Sequence, residues 1–440
     1  MSVTIGIISI VVAFAGLIVL TYRGMSVMYV APICALFVAL VNGLPLLDTV
    51  TGAFMGGTVG FISDLFPIFL LSILMGRLYV ESGAAVNIAR TLMNLFAKNA
   101  SGPRKQTIAV YICIAVSWVM CFGGIDTFCA LFTLFPVMLT ICSEANIPRK
   151  YLVGLITCGV STAAITPGAP LVANYTPMSY LDTTSTAGFA VGLVGVAIML
   201  VGGGTYLARS IHKSSARGEV FDPGNTPFQP IDESRRYPNI VLALIPLVSV
   251  IVVFNIVDEL IPALALGFIL ALVLLVPFFE NTPERSRGTA LMETLNDGGK
   301  SAAESIFMAA IVVGFAAVVQ STEAYEALVN GLLGLSLPAP ILVVIAVTIL
   351  VGLTGSPPAG LAIVVPVLAE NLTMNAEALH RIATTAASTF DTLPYQGAIL
   401  IMLAMADLKH KDGYPSVLMC TVVWVMVAAL VEALLFTIIG

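Results

Sequence analysis

The sequence predicts an all-α polytopic membrane protein made of two inverted-topology repeats, each with a re-entrant hairpin and a broken transmembrane helix. Three observations lead there. The 440 residues are 58% hydrophobic and only 10% charged, with a mean hydropathy of +1.01, whereas soluble domains carry about a quarter charged residues. Apolar runs of the roughly 20 residues needed to cross a bilayer fill most of the chain. A single long polar stretch divides it, and similar parts follow one another in the same order on both sides. A water-soluble enzyme and a secreted disulfide scaffold are excluded. A net charge of -6 and a pI near 5.1 leave no basic footprint for nucleic acid. The seven cysteines all fall in or beside apolar runs without a CxxC pair, and read as packing residues rather than metal ligands or disulfides.

The first apolar run, 3 to 21, has no positive segment before it and Arg23 after it, and reads as a first transmembrane helix rather than a signal peptide. Runs at 25 to 42 and 54 to 76 follow, then an interrupted pair at 106 to 122 and 126 to 142, then 151 to 180 and 185 to 208. The polar linker spans 209 to 237 and separates a first repeat, 1 to 208, from a second, 238 to 440. In the second half, runs at 238 to 256, 260 to 279 and 301 to 320 precede a pair at 340 to 353 and 359 to 370. The last two are 382 to 406 and 415 to 439. Asp64 and Glu304 open matching helices, where the helix dipole would stabilise an acid. Amphipathic stretches, ESGAAVNIARTLMNLF and STEAYEALVNGLLGL, stand at equivalent places, and the order of parts implies a duplication.

Placing the Arg23 loop in the cytoplasm puts 18 of the 19 Lys and Arg residues on that side and leaves Arg381 alone outside. Both termini then face the periplasm and the linker faces the cytoplasm. The first interrupted pair opens inward and the second outward, which makes the repeats inverted. Two full spans joined by a tight turn would give the same sidedness. His212, His380 and His410 fall in polar loops by this layout.

Gly and Pro at mid-membrane depth are tolerated only where protein or a wet cavity satisfies the freed backbone. Four such interruptions occur, FGGIDTF, TGSPPAG, STAAITPGAP and TTAASTFDTLPYQG. Exposed half-helix amides attract anions and exposed carbonyls attract cations. No Lys or Arg falls at membrane depth in this layout, so hydroxyls and amides are the expected carboxylate partners. The candidate binding residues are Gly123, Gly124, Asp126 and Thr127 in the first hairpin and Gly355 and Ser356 in the second. In the broken helices they are Ser161, Thr162, Thr166, Gly168 and Asn174, then Ser388, Thr389, Asp391, Thr392 and Gln396. Each hydroxyl has an ordinary alternative in its own i-4 carbonyl, and Asp126 and Asp391 have one as helix caps. An intramembrane acid is costly enough to suggest function, and Asp391 or Asp126 is expected to carry the coupling proton, Asp391 first because it shares a helix with the densest hydroxyl cluster.

The runs GGIDTF at 123 to 128, ESGAAVNIA at 81 to 89 and FDTLPYQGAILIML at 390 to 403 resemble the gluconate permease family of bacterial gluconate:proton symporters. The resemblance extends over essentially the whole chain. It implies transport of a small carboxylate, such as gluconate or 3-hydroxybutyrate, with protons across the bacterial inner membrane. It also implies a scaffold and a mobile transport domain moving as an elevator, and a homodimer in the lipid bilayer. Tyr395 and Gln396 stand where sugar-acid members carry His and Asn, which bears on whether the substrate is polyhydroxylated. Na+ in place of H+ is the alternative coupling ion. No cofactor or metal is expected. The chain has no HExxH and no Ser/His pair at membrane depth for an enzyme, and an anion channel would not need paired inverted breaks.

Overall fold

The computed structural model describes residues 3–23, 25–125, 127–222, 224, 235–354, 357–394 and 396–439. Asp126, Gly355, Ser356 and Tyr395 lie outside the described residues, as do 223 and 225–234 of the linker. Among the described residues every regular element is helical. The first half runs α1 Val3–Tyr22, α2 Val27–Val41, α3 Leu46–Glu81, α4 Ala84–Phe96, α5 Gly102–Phe122, α6 Thr127–Glu144, α7 Leu152–Ile165, α8 Val172–Leu181 and α9 Phe189–Ala216. The second runs α10 Ile240–Val257, α11 Leu260–Phe278, α12 Arg287–Gln320, α13 Glu323–Leu333, α14 Ala339–Thr354, α15 Pro357–Asn371, α16 Ala376–Ala387, α17 Gly397–Met405 and α18 His410–Ile439. Eight of these are long and apolar enough to cross a membrane.

Local chemistry sets several starts. Ser26, Asn239, Ser286, Thr322 and Asn375 cap α2, α10, α12, α13 and α16 by accepting a backbone N–H in the first turn, which satisfies donors that a helix start leaves open. Asp258, in the left-handed region at φ 56°, ends α10 and lets α11 start two residues on.

The halves match element for element. The long helices α3 and α12 have 36 and 34 residues, and the amphipathic helices α4 and α13 have 13 and 11. Each half then has an interrupted pair, a broken helix and a final long helix, α9 or α18. Packing is reciprocal as well. The long helices α3 and α12 lie along each other; α3 also packs on α11 as α12 does on α2. The contact of α4 with α10 is matched by α13 with α1, and that of α8 with α15 by α17 with α6. Exchanging the halves therefore maps these contacts onto themselves. The largest core cluster is built mainly from α3 to α7, α10 and α11, and a second from α14, α15, α16 and α18.

Two expectations about acids need correction. Asp64 and Glu304 do not open helices. Both lie midway along α3 and α12 on exposed faces, because those helices continue through residues N-terminal to the apolar runs. The helix α9 likewise continues to Ala216, past the start of the polar stretch.

Candidate functional site

The first helix break follows α7. Pro167 disfavours helical backbone at the residue before it, and Thr166 is extended at ψ 126°. Gly168 then takes φ +82°, a conformation only glycine adopts freely. Several of the released backbone groups are engaged. The Gly168 amide donates to Ser185 O at 2.9 Å, and its carbonyl accepts from Asn255 Nδ2 at 2.9 Å. Buried Asn174 donates to Ala169 O at 3.1 Å and Ser185 O at 2.9 Å. Thr162 and Thr166 turn their hydroxyls onto their own i-4 carbonyls, each at 2.6 Å. Trp118 of α5 donates to the Thr166 hydroxyl at 3.0 Å, and so ties the first interrupted pair to this break. Ser161 is buried and makes no hydrogen bond among the described residues.

The second break follows α16 and is held largely by hydroxyls, with His410 Nε2 3.2 Å from Pro394 O. Ser388 donates to Thr384 O at 3.2 Å, and Thr389 to Ala386 O at 2.5 Å and to Thr348 Oγ1 of α14 at 3.1 Å. Thr392 shares a short hydrogen bond with Thr421. That residue lies in a π-helical segment, 418–423, of α18. Phe390 packs against Gly352 of α14, where a Cβ would come within 2.7 Å of the ring. Asp391 is half-buried in the turn, and Gln396 is the N-cap residue of α17 without a side-chain cap bond.

Each interrupted pair thus sits against the broken helix of its own half. The first tip points elsewhere: Gly123 lies on Leu247, Gly124 on Val250 and Leu264, and the Gly124 carbonyl accepts from Ser72 at 3.1 Å. Thr127 opens α6. Small clefts lie between amphipathic helix and interrupted pair, one at Met93 and Val137 with Arg90 and Glu144 in its wall and an apolar one at Tyr325 and Leu350, away from the breaks.

The sequence missed the charges that join the two halves. Arg381 and His380 are not in an external loop; both are wholly buried. The apolar run begins at Ile382, but Asn375 starts the helix seven residues earlier by accepting from Glu377 N at 2.8 Å, and so carries both side chains inward. Arg381 donates to Ala187 O at 2.9 Å, Ile165 O at 3.3 Å, Asn174 Oδ1 at 3.2 Å and Ser185 O at 3.4 Å. His380 contacts Thr183 at 2.7 Å and Asn174 at 3.2 Å. The cation therefore closes the C-terminal end of α7, where freed carbonyls concentrate negative charge. A second missed residue is Glu432, wholly buried in α18. An acid inside the apolar run 415 to 439 is itself a sequence signal, since such residues are rare in membrane helices.

No family model matches the chain. An uncharacterized transporter of Bacillus subtilis, YxjC, is 28% identical over 460 residues, with 95% of this chain and 96% of that protein covered. A gluconate permease of Bacillus licheniformis is 32% identical over 152 residues, 34% of this chain and 30% of that protein. The chain is thus similar over nearly its whole length to a bacterial transporter, and over about a third of it to a gluconate permease. The protein is a multi-pass membrane transporter of the bacterial inner membrane. Its fold is similar to that of the Alcanivorax borkumensis YdaH transporter, with a TM-score of 0.50 at 15% identity over 89% of this chain and 88% of that one.

Proposed function

We propose that this protein is a proton-coupled symporter of a small organic carboxylate, a sugar acid such as gluconate or a hydroxy acid such as 3-hydroxybutyrate. The observation that carries the reading is a fully buried guanidinium, Arg381, whose hydrogen bonds all go to neutral oxygens beside a helix break. A cation held that way in an apolar interior favours an anion nearby. The substrate carboxylate is held by hydroxyls and amides at 161–168 and 388–392, and the tips 123–127 and 354–358, the first of which packs on Leu247 and Val250 here, move to close over it during the cycle. Gluconate permease names among the relatives favour this substrate class.

In this reading the halves are inverted repeats with re-entrant hairpins and the linker is cytoplasmic. The interrupted pairs and broken helices move as a transport domain against a scaffold, by an elevator movement, in a homodimer. Proton binding at Asp391 or Asp126 relieves like-charge repulsion of the substrate, so proton and anion strengthen each other's binding.

Uptake of labelled gluconate, 3-hydroxybutyrate, D-serine, citrate and lactate into proteoliposomes under separate H+ and Na+ gradients tests this. Saturable accumulation of a hydroxylated monocarboxylate driven by H+ is expected. Accumulation driven only by Na+ would replace the coupling ion, and flux that never exceeds the gradient would point to a channel.

A further inference from the structure

The helix α18 carries Glu432 through the apolar interior, and neither carboxyl oxygen has a hydrogen-bond partner among the described residues. The Thr385 hydroxyl that faces it from α16 also lacks one. An ionised carboxylate there would be a buried charge without solvation, whereas the protonated acid costs far less. The place is cut for it by α9. A Cβ on Gly195 would fall 2.1 Å from Glu432 Oε1. One turn earlier, a Cβ on Gly192 would lie 2.9 Å from Arg381 Cδ and 3.2 Å from Nε. Helix positions three apart have Cβ atoms about 5–6 Å apart. The acid and the base of the guanidinium therefore stand side by side on one face of α9, close enough to feel each other without a direct hydrogen bond.

The other surroundings are neutral. Beside Arg381 and Thr385 from α16 and the glycines of α9, α14 contributes aliphatic side chains that share a core cluster with Ala429 and Ala433. Among the described residues, Arg381 is the charged group that faces Glu432.

We propose that Glu432 is a proton-binding site of the transport cycle, and that its proton sets the net charge beside the first helix break. With Glu432 ionised, the Arg381–Glu432 pair is neutral. With Glu432 protonated, the positive charge of Arg381 stands uncompensated behind the Ile165 carbonyl, and an anion arriving at the break is attracted. Substrate in turn favours the protonated state, which is the reciprocity that symport requires. The inference rests on the carboxylate reading of the site and adds to Asp391 and Asp126 an acid that the sequence does not single out.

Two measurements on the full chain in liposomes separate this proposal from that reading. Infrared titration needs no substrate. A protonated-carboxyl C=O band that disappears as pH rises, and that is missing in Glu432→Gln, is expected; a band unchanged in that variant overturns the proposal. In flux assays Glu432→Gln, the isostere of the protonated acid, should retain counterflow exchange while pH-driven accumulation falls about tenfold or more. Accumulation with normal pH dependence overturns the proposal. If Glu432→Gln is not recovered in the membrane, Gly195→Ala presses a methyl onto the carboxyl and should move the titration of the same band; a band it leaves in place overturns the proposal. A Glu432 band in a protein that carries none of the tested carboxylates would keep the proton site and overturn the substrate reading.

Discussion

The two broken helices occupy equivalent places in their halves but are held by different chemistry. The break after Ile165 is pinned by a buried guanidinium, two asparagine side chains and the Ser185 carbonyl. The break after Ala387 has no buried guanidinium among its described contacts; His410 Nε2 lies 3.2 Å from Pro394 O at its far end. Hydroxyl pairs and the packing of Phe390 on Gly352 hold it. Hydrogen bonds to charged groups are about twice as strong as neutral ones. The two similar openings therefore differ: one is the rigid side of the proposed site, while the other is held by weaker bonds that are easier to exchange for a ligand.

Arg381→Met is expected to separate the two most sharply. It strips the donors from the Ile165 and Ala187 carbonyls and leaves Glu432 without a neighbouring cation, at a cost of about 3–5 kcal/mol. Thermal unfolding in detergent checks this; a loss no larger than that of Thr389→Val, about 1 kcal/mol, would remove the distinction between the breaks. A smaller loss, about 1–2 kcal/mol, is expected for Gly168→Ala, where φ is +82° and a Cβ would come within 2.9 Å of Asn255. Trp118→Phe removes the donor to Thr166 but keeps a ring to stack on Phe122, 4.9 Å away, and should cost about 1 kcal/mol. Ser388→Ala should change stability least, by no more than about 1 kcal/mol, yet raise the apparent transport constant with normal protein in the membrane. Unchanged kinetics would move the binding site away from the second break.

Much of the architecture was legible from composition and order alone. The helix series, the interrupted pairs and the breaks at Thr166 and Ser388 follow from apolar run length and from Gly and Pro, which act locally. The polarity of individual positions was less so. Arg381 and Glu432 are far apart in sequence and meet only because Gly192 and Gly195 bring α9 close to both. His380 and Arg381 precede an apolar run, so hydropathy assigns them to a loop, while the cap at Asn375 assigns them to a helix. The hydroxyls stand beside the breaks that Gly and Pro mark, but which of them turn toward i-4 carbonyls depends on backbone geometry that a sequence pattern does not specify.

The contrast between the breaks is tested most directly by hydrogen exchange of the protein in lipid, with and without the transported carboxylate. Amides at 388–394 should exchange faster than those at 166–171 in the substrate-free protein and become protected when substrate is added, while 166–171 remains slow in both states. Protection confined to 166–171, or faster exchange there than at 388–394, would contradict the assignment of the first break as the rigid side of the site and the second as the side that tightens on the substrate.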